Sequence, residues 1–222
     1  MKITIKGILF DMDGILVSSI GSVERSWTKW AMRHGIDPAY AVMRAHGRRS
    51  IDSVRAMRPD LDAEAEDELI ENWEVEDTEG VEALPGVKEL LRQLPQGSWT
   101  VVTSATRRLA EARLGAAGIA APEKWVTADV VTRGKPDPEP YLKGAELLGF
   151  APQDCLVIED SVSGAAAGLA AGCKVMATTL SHSIEELRAA DWVVETLESI
   201  AVKALPDGQG LELEFEPIPK PR

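Results

Sequence analysis

Two carboxylates, Asp11 and Asp13, close the apolar run ILFDMDG with a single methionine between them. Residues two apart on extended backbone point the same way, so both acids can face one crevice, although the turn that Gly14 permits can redirect the second. Neighbouring carboxylates ionise together only at a cost unless a cation or a proton lies between them. The pair therefore implies a divalent metal, or a division of roles into nucleophile and acid. Other reactive side chains stand where further apolar runs end: Ser104 after VVT, Glu159 and Asp160 after LVI, and Lys135 in the loop GKPDP. Singly, each has a plainer explanation as a helix cap, a turn residue or a solvated lysine. Jointly they bring a hydroxyl, a cation and several acids to one rim. An EF-hand calcium loop is disfavoured, because the third spaced oxygen ligand, the later glycine and the closing glutamate are missing.

The elements that must position these groups are apolar runs of strand length. They are IKGILF to Phe10, WTVVTS to Ser104, KWVTA to Ala128, CLVIED to Asp160, KVMATT to Thr179 and DWVVE to Glu195. Between them lie segments of helical spacing, such as Val87, Leu90, Leu91 and Leu94, or Tyr141, Leu142, Ala145 and Leu148. Strands apolar on both faces and alternating with helices predict an α/β fold, a doubly wound parallel sheet covered on each side. Ligands of such sheets bind at the carboxyl ends of the strands, where Asp11 falls.

From Ser18 to Leu84 the rhythm changes to helices without strands. Ile20, Val23, Trp27, Trp30 and Ala31 share one face of a helix that His34 and Gly35 close, and Asp37–Pro38 and Asp62 begin others. The expected organisation is an α/β core over 1–17 and 85–205, an inserted α-helical cap over 18–84, and a tail over 206–222. In that tail LELEFE alternates like an edge strand and PIPKPR is expected to be loose. The small residues of GAAAGLAAG suit close packing of a helix on the sheet, and Trp27 and Trp30 suit the core of the cap better than a substrate platform.

Composition narrows the partners. The 222 residues are 45% hydrophobic and 27% charged, which excludes disordered and fibrous classes. A formal net charge of -12 argues against nucleic acid and requires a local positive site for any anionic substrate. Cys155 and Cys173 make neither a disulfide framework nor a CxxC zinc site, and the amino terminus lacks a secretory pattern. The expectation is a cytoplasmic protein, a monomer or weak homodimer, acting on a small molecule away from membranes.

FDMDG, VVTSAT, GKPDP and VIEDS, in this order and on these elements, resemble the four marks of the haloacid dehalogenase superfamily of phosphotransferases, and the likeness runs to about residue 200. The resemblance implies a HAD-like, Rossmannoid core and an aspartyl-phosphate mechanism. Asp11 would be the nucleophile and Asp13 the acid and base. Mg²⁺ would be held by the Asp11 carboxylate, the main-chain carbonyl of Asp13 and Asp160, with Glu159 a ligand directly or through water. Ser104, Lys135 and backbone N–H groups around Met12, Asp13 and Ala105 would hold the phosphate oxygens. In the cap, AHGRRSIDSV resembles the HGxRT segment of glycerol-3-phosphate and 2-deoxyglucose-6-phosphate phosphatases, with Arg49 and Ser50 at the Arg and Thr positions and His46 nearby. Residues 122–144 are similar to the same group. The implied activity is a phosphatase of small sugar or polyol phosphates. The related β-phosphoglucomutases carry a cap histidine and a phosphate-binding arginine where Val23 and Ser50 stand here. A non-hydrolytic phospho-receiver, with its acids on different strands and no cap, fits less well.

Overall fold

The apolar runs become strands in the order the sequence suggests. In the computed structural model, which describes residues 1–208 and 210–220, the chain opens with β1 (Lys2–Ile5), β2 (Gly7–Phe10) and the short β3 (Val17–Ser18). Four helices follow: α1 (Ile20–His34), α2 (Pro38–Ala45), α3 (Ser50–Met57) and α4 (Ala63–Glu76). The return runs through β4 (Glu82–Ala83), α5 (Val87–Gln93), β5 (Trp99–Val101), α6 (Arg107–Ala116) and α7 (Glu139–Leu148). Then come β6 (Cys155–Glu159), α8 (Val162–Ala170), β7 (Lys174–Thr178), β8 (Trp192–Val194), β9 (Ala201–Ala204) and β10 (Leu211–Glu214).

The main sheet has the order β5-β2-β6-β7-β8, and every pairing in it is parallel. β2 thus lies between β5 and β6, with the chain continuing to either side, which is the switch point where an α/β sheet opens a crevice. Alternation along the strands divides the core: Ile8, Phe10, Leu156 and Ile158 pack with α5 and α6, while Leu9 and Val157 pack with α7 and α8. Each such fully buried side chain contributes about 1.5–3 kcal/mol. The close packing expected of the small-residue helix is present, since a Cβ on Gly168 would lie 2.9 Å from Val175.

The helices α1–α4 form the cap around Trp27, Trp30, Ala31, Val54 and Ile70. Gly35 ends α1 at φ 67°, and Asp37 and Asp62 cap α2 and α4 by accepting from the N–H groups of Tyr40 and Ala65. Trp30 is a core residue whose indole N–H donates to Glu66. The two crossings between cap and core pair with each other, Val17 with Ala83 and Ser18 with Glu82, and make a two-stranded antiparallel hinge.

Four expectations are corrected. IKGILF is not one strand, because the chain turns at Lys6, whose N–H donates to the Asp154 carbonyl, and β1 leaves for a second sheet. LELEFE is not an edge: β10 is the middle strand of the antiparallel order β1-β10-β9, with Leu211, Leu213 and Phe215 buried. Its second partner comes from the chain's first residues, which no local pattern announces. PIPKPR is tied down at Ile218, whose N–H donates to the Val193 carbonyl at 2.7 Å, while residues 221–222 lie outside the described residues. KWVTA contributes only a single bridge, Val126 with Val102, before a short turn of 3-10 helix over Ala128–Val130. No helix among the described residues is long and apolar enough to cross a membrane.

Candidate active site

Asp11 continues β2 by one residue, its N–H held by the Ile158 carbonyl of β6, so the sheet itself fixes the carboxylate at the rim. Lys135 Nζ donates to Asp11 Oδ1 at 2.7 Å and to Glu159 Oε1 at 2.6 Å, and all three residues are buried. Tyr141 Oη also donates to Glu159 Oε1, and Glu159 Oε2 accepts from the N–H groups of Asp160 and Ser161 and from Ser161 Oγ. The helix α8 approaches so closely that a Cβ on Gly164 would lie 1.7 Å from Glu159 Oε1. Glu159 is thereby an anchor for Lys135. Five donors reach its oxygens, and it also belongs to the acidic cluster with Asp11 and Asp160. Asp160 accepts from Ser181 Oγ at 2.6 Å, and His46 Nε2 lies 3.5 Å away.

Oxygens of Asp11, Glu159 and Asp160 lie within 4.8 Å of one another. Lys135 pairs with two of these three acids, Asp11 and Glu159. Burial, and then the charge of Glu159, hold the Asp11 carboxyl well above its ordinary range against the pull of Lys135. Lys135 has burial against it but is held above its ordinary value by Asp11 and Glu159. Three buried carboxylates with oxygens this close together fit a hard divalent cation, which Asp11, Glu159 and Asp160 would hold. The loop after Asp11 is shaped for such proximity, since a Cβ on Gly14, at φ 79°, would lie 1.9 Å from Asp160 Oδ2.

Asp13 lines the same cleft as Asp11 but has other partners. The turn after β2 closes on the Met12 carbonyl, which accepts from the N–H groups of Leu16 and Val17. This aims Asp13 at Ser19 Oγ, 2.6 Å from Oδ1, and at Arg113 Nη1, 2.9 Å from Oδ2. Arg113 of α6 is buried, and its Nη2 is 3.4 Å from Glu74 of the cap helix α4. Burial, opposed by Arg113, pushes the Glu74 carboxyl up to about 7. Neither Arg113 nor Glu74 was singled out from the sequence. The available signal is a charge on an apolar stripe: Arg113 shares the buried face of α6 with Leu109, Ala110 and Leu114, and Glu74 follows Ile70 on α4.

The remaining expected residues divide. Ser104 and Ala105 line the cleft, but the Ser104 hydroxyl points at the Gly47 carbonyl of the cap, 3.4 Å away, and the Ala105 N–H is engaged by Thr103 Oγ1. Met12 is fully buried. His46 lines the cleft at Asp160 and meets the His182 ring edge-on at 5.4 Å. Arg49 is not aimed into the cleft: its guanidinium forks onto Asp52 and donates to the carbonyls of Val131 and Thr132, which ties cap to core. The adjacent Arg48 takes the place in the cleft wall. Neighbours on a chain turn apart, and spacing alone could not say which one faces inward. Ser50 also lines the cleft, with its hydroxyl donating to Asp67.

Fold and site together define a capped α/β protein with a buried carboxylate cluster at the switch point of the sheet. The chain belongs to the haloacid dehalogenase-like hydrolases, whose family pattern matches residues 5–172. It is 45% identical to hexitol phosphatase A of Escherichia coli (strain K12) over 208 residues, covering 91% of this chain and 96% of that protein. Glycerol-1-phosphate phosphohydrolase 2 of Saccharomyces cerevisiae is 32% identical over 220 residues, 91% of this chain and 86% of the relative. Among solved structures, a hydrolase from Pseudomonas syringae superposes with a TM-score of 0.78 at 26% identity, covering 86% of this chain and 94% of the other.

Proposed function

We propose that the protein is a Mg²⁺-dependent phosphatase that hydrolyses small sugar or polyol phosphate monoesters through a phosphorylated Asp11. The observation that carries this reading is the buried contact of Lys135 with Asp11 beside Asp160, at the floor of a cleft roofed by the cap. Asp11, Asp160 and, directly or through water, Glu159 would hold the cation, which would supply charge cancellation between the attacking carboxylate and the phosphate. The Asp11 carboxylate forms the new bond to phosphorus, while Lys135 and the Ser104 hydroxyl stabilise charge on the equatorial oxygens. The bond from phosphorus to the alcohol oxygen breaks, and Asp13 gives that oxygen its proton. Asp13 then takes a proton from water, whose oxygen attacks phosphorus and breaks the bond to Asp11.

The names of the curated relatives support an alcohol of polyol type. The lining of the cleft is compatible with such an alcohol: Ile20, Val23 and Trp27 of α1 offer carbon and Arg48 and Glu71 offer polar groups. Transfer to a second sugar oxygen is unsupported, since Val23 is apolar and the Ser50 hydroxyl is held by Asp67. The test is phosphate release from a panel of hexitol, hexose, glycerol and deoxyhexose phosphates and phosphoglycolate, with and without Mg²⁺, with Asp11→Asn as control. Release from polyol or sugar phosphates that requires Mg²⁺ and vanishes in Asp11→Asn is expected. Turnover surviving in Asp11→Asn after contaminating phosphatases are removed would overturn the mechanism. Isomerisation of β-glucose 1-phosphate without free phosphate would overturn the reaction.

A further inference from the structure

Both oxygens of Asp13 are held by side chains outside the motifs, Oδ1 by Ser19 at the first crossing into the cap and Oδ2 by Arg113. Arg113 is 3% exposed, an expensive place for a guanidinium unless counter-charges surround it. Two do, from different parts of the molecule. Asp13 belongs to the core, and Glu74 reaches down from α4 to within 3.4 Å of Nη2. Nε and Nη2 have no hydrogen-bond acceptor among the described residues, so the guanidinium keeps its place through those two carboxylates and not through a full hydrogen-bond set. Around it, α4 and α6 are joined twice more, by Thr106 Oγ1 donating to Glu71 and Arg108 donating to Asn72.

We propose that Arg113 is a positioning residue that fixes the Asp13 carboxylate for proton transfer to the leaving oxygen, and that Glu74 of the cap holds Arg113 in that posture. The proposal rests on the acid and base role given to Asp13 above. A carboxylate with one oxygen on a hydroxyl and the other on a guanidinium has its plane and rotamer fixed. Losing Arg113 frees the side chain to turn while leaving Asp11, Lys135 and Asp160 where they are. The defect should therefore grow with the need for a proton on the departing oxygen.

The experiment measures first-turnover release of the alcohol at saturating Mg²⁺ from aryl phosphates of increasing leaving-group basicity, p-nitrophenyl through phenyl, and from glycerol 1-phosphate. Wild type, Arg113→Met, Arg113→Lys and Glu74→Gln are compared. Arg113→Met is expected to lose less than about threefold with p-nitrophenyl phosphate but about 30-fold or more with the basic leaving groups. Arg113→Lys should recover part of the loss, and Glu74→Gln should show the same trend at smaller size. An equal loss across the series, or none, overturns the proposal. If Arg113→Met does not fold by circular dichroism, Glu74→Gln and Arg113→Lys decide by the same criterion. Because the aryl series does not depend on any particular sugar, a wild type inactive on every polyol phosphate overturns the substrate reading alone.

Discussion

The floor and the roof of the cleft are built by different means. On the floor, Asp11, Lys135 and Glu159 are buried and cross-bonded; Asp11 is fixed by the backbone of the sheet, Glu159 by N–H groups at the start of α8, and Lys135 by its bonds to both. The roof meets the core through isolated contacts: Arg49 on two carbonyls, Gly47 under Ser104 and Ser163, Glu74 beside Arg113. A rigid floor suits chemistry that needs a charge cluster in one geometry. A roof fastened at a few points suits a cap that must admit the substrate and then exclude water. The difference teaches where substitutions should damage chemistry and where they should damage closure.

The largest effect is expected on the floor. Lys135→Met leaves the Asp11 and Glu159 carboxylates buried without their shared cation, so turnover should fall by about 10³-fold and stability by about 3–5 kcal/mol. Phosphate release and denaturant unfolding check both, and retention of activity within tenfold would erase the contrast between floor and roof. Next is Gly47→Ala. Gly47 has φ 69°, and a Cβ there would lie 2.5 Å from Ser161 Oγ. The substitution should hold the cap off the core and lower kcat/KM by about 100-fold, while the thermal midpoint moves by only a few degrees.

Glu74 gives the boundary between the two regions a pH signature. Its carboxyl lies at about 7, raised from 4.5, so the folded chain binds more protons than the unfolded chain between those values. This stabilisation is complete below pH 4.5 and lost as the pH rises through about 7. The loss is on the order of 3 kcal/mol. Asp11 shifts in the same direction but is unchanged in a Glu74→Gln protein. Subtracting the unfolding free energies of wild type and Glu74→Gln across this window should isolate the slope, and parallel curves would show that Glu74 is not buried in solution. The smallest effect is expected from Arg49→Ala. It removes a polar latch worth about 1 kcal/mol, and should raise KM roughly fivefold with little change in kcat. A loss confined to kcat would instead put Arg49 among the groups that act on the reacting atoms.

Much of the floor was legible because its residues sit where apolar runs stop. Asp11, Ser104 and Asp160 follow strands whose composition announces a parallel sheet, and such a sheet has only one rim for them to share. The roof was less legible. HGRRS marked a cap segment that does touch the core, but Arg49, the residue the HGxRT resemblance points to, lies on the 131–132 carbonyls while its neighbour Arg48 lines the cleft, because the local turn sends the two side chains apart. Arg113 and Glu74 were visible only as charges on apolar stripes, a pattern that signals burial without naming a partner.

What the sequence by itself determined is the α/β alternation, the helical insertion and the chemical identity of the groups at the strand ends, since periodicity, apolar runs and turn residues are local properties of the chain. What only the tertiary structure decided is which donors and acceptors meet. Glu159 became an anchor because five donors from four residues converge on it, and LELEFE became a central strand because β1 came to lie beside it. Both outcomes need segments separated along the chain, Lys135 and Tyr141 for Glu159 and β1 for β10, and hydrogen-bond satisfaction in a buried space is a property of the assembled fold, not of any stretch within it.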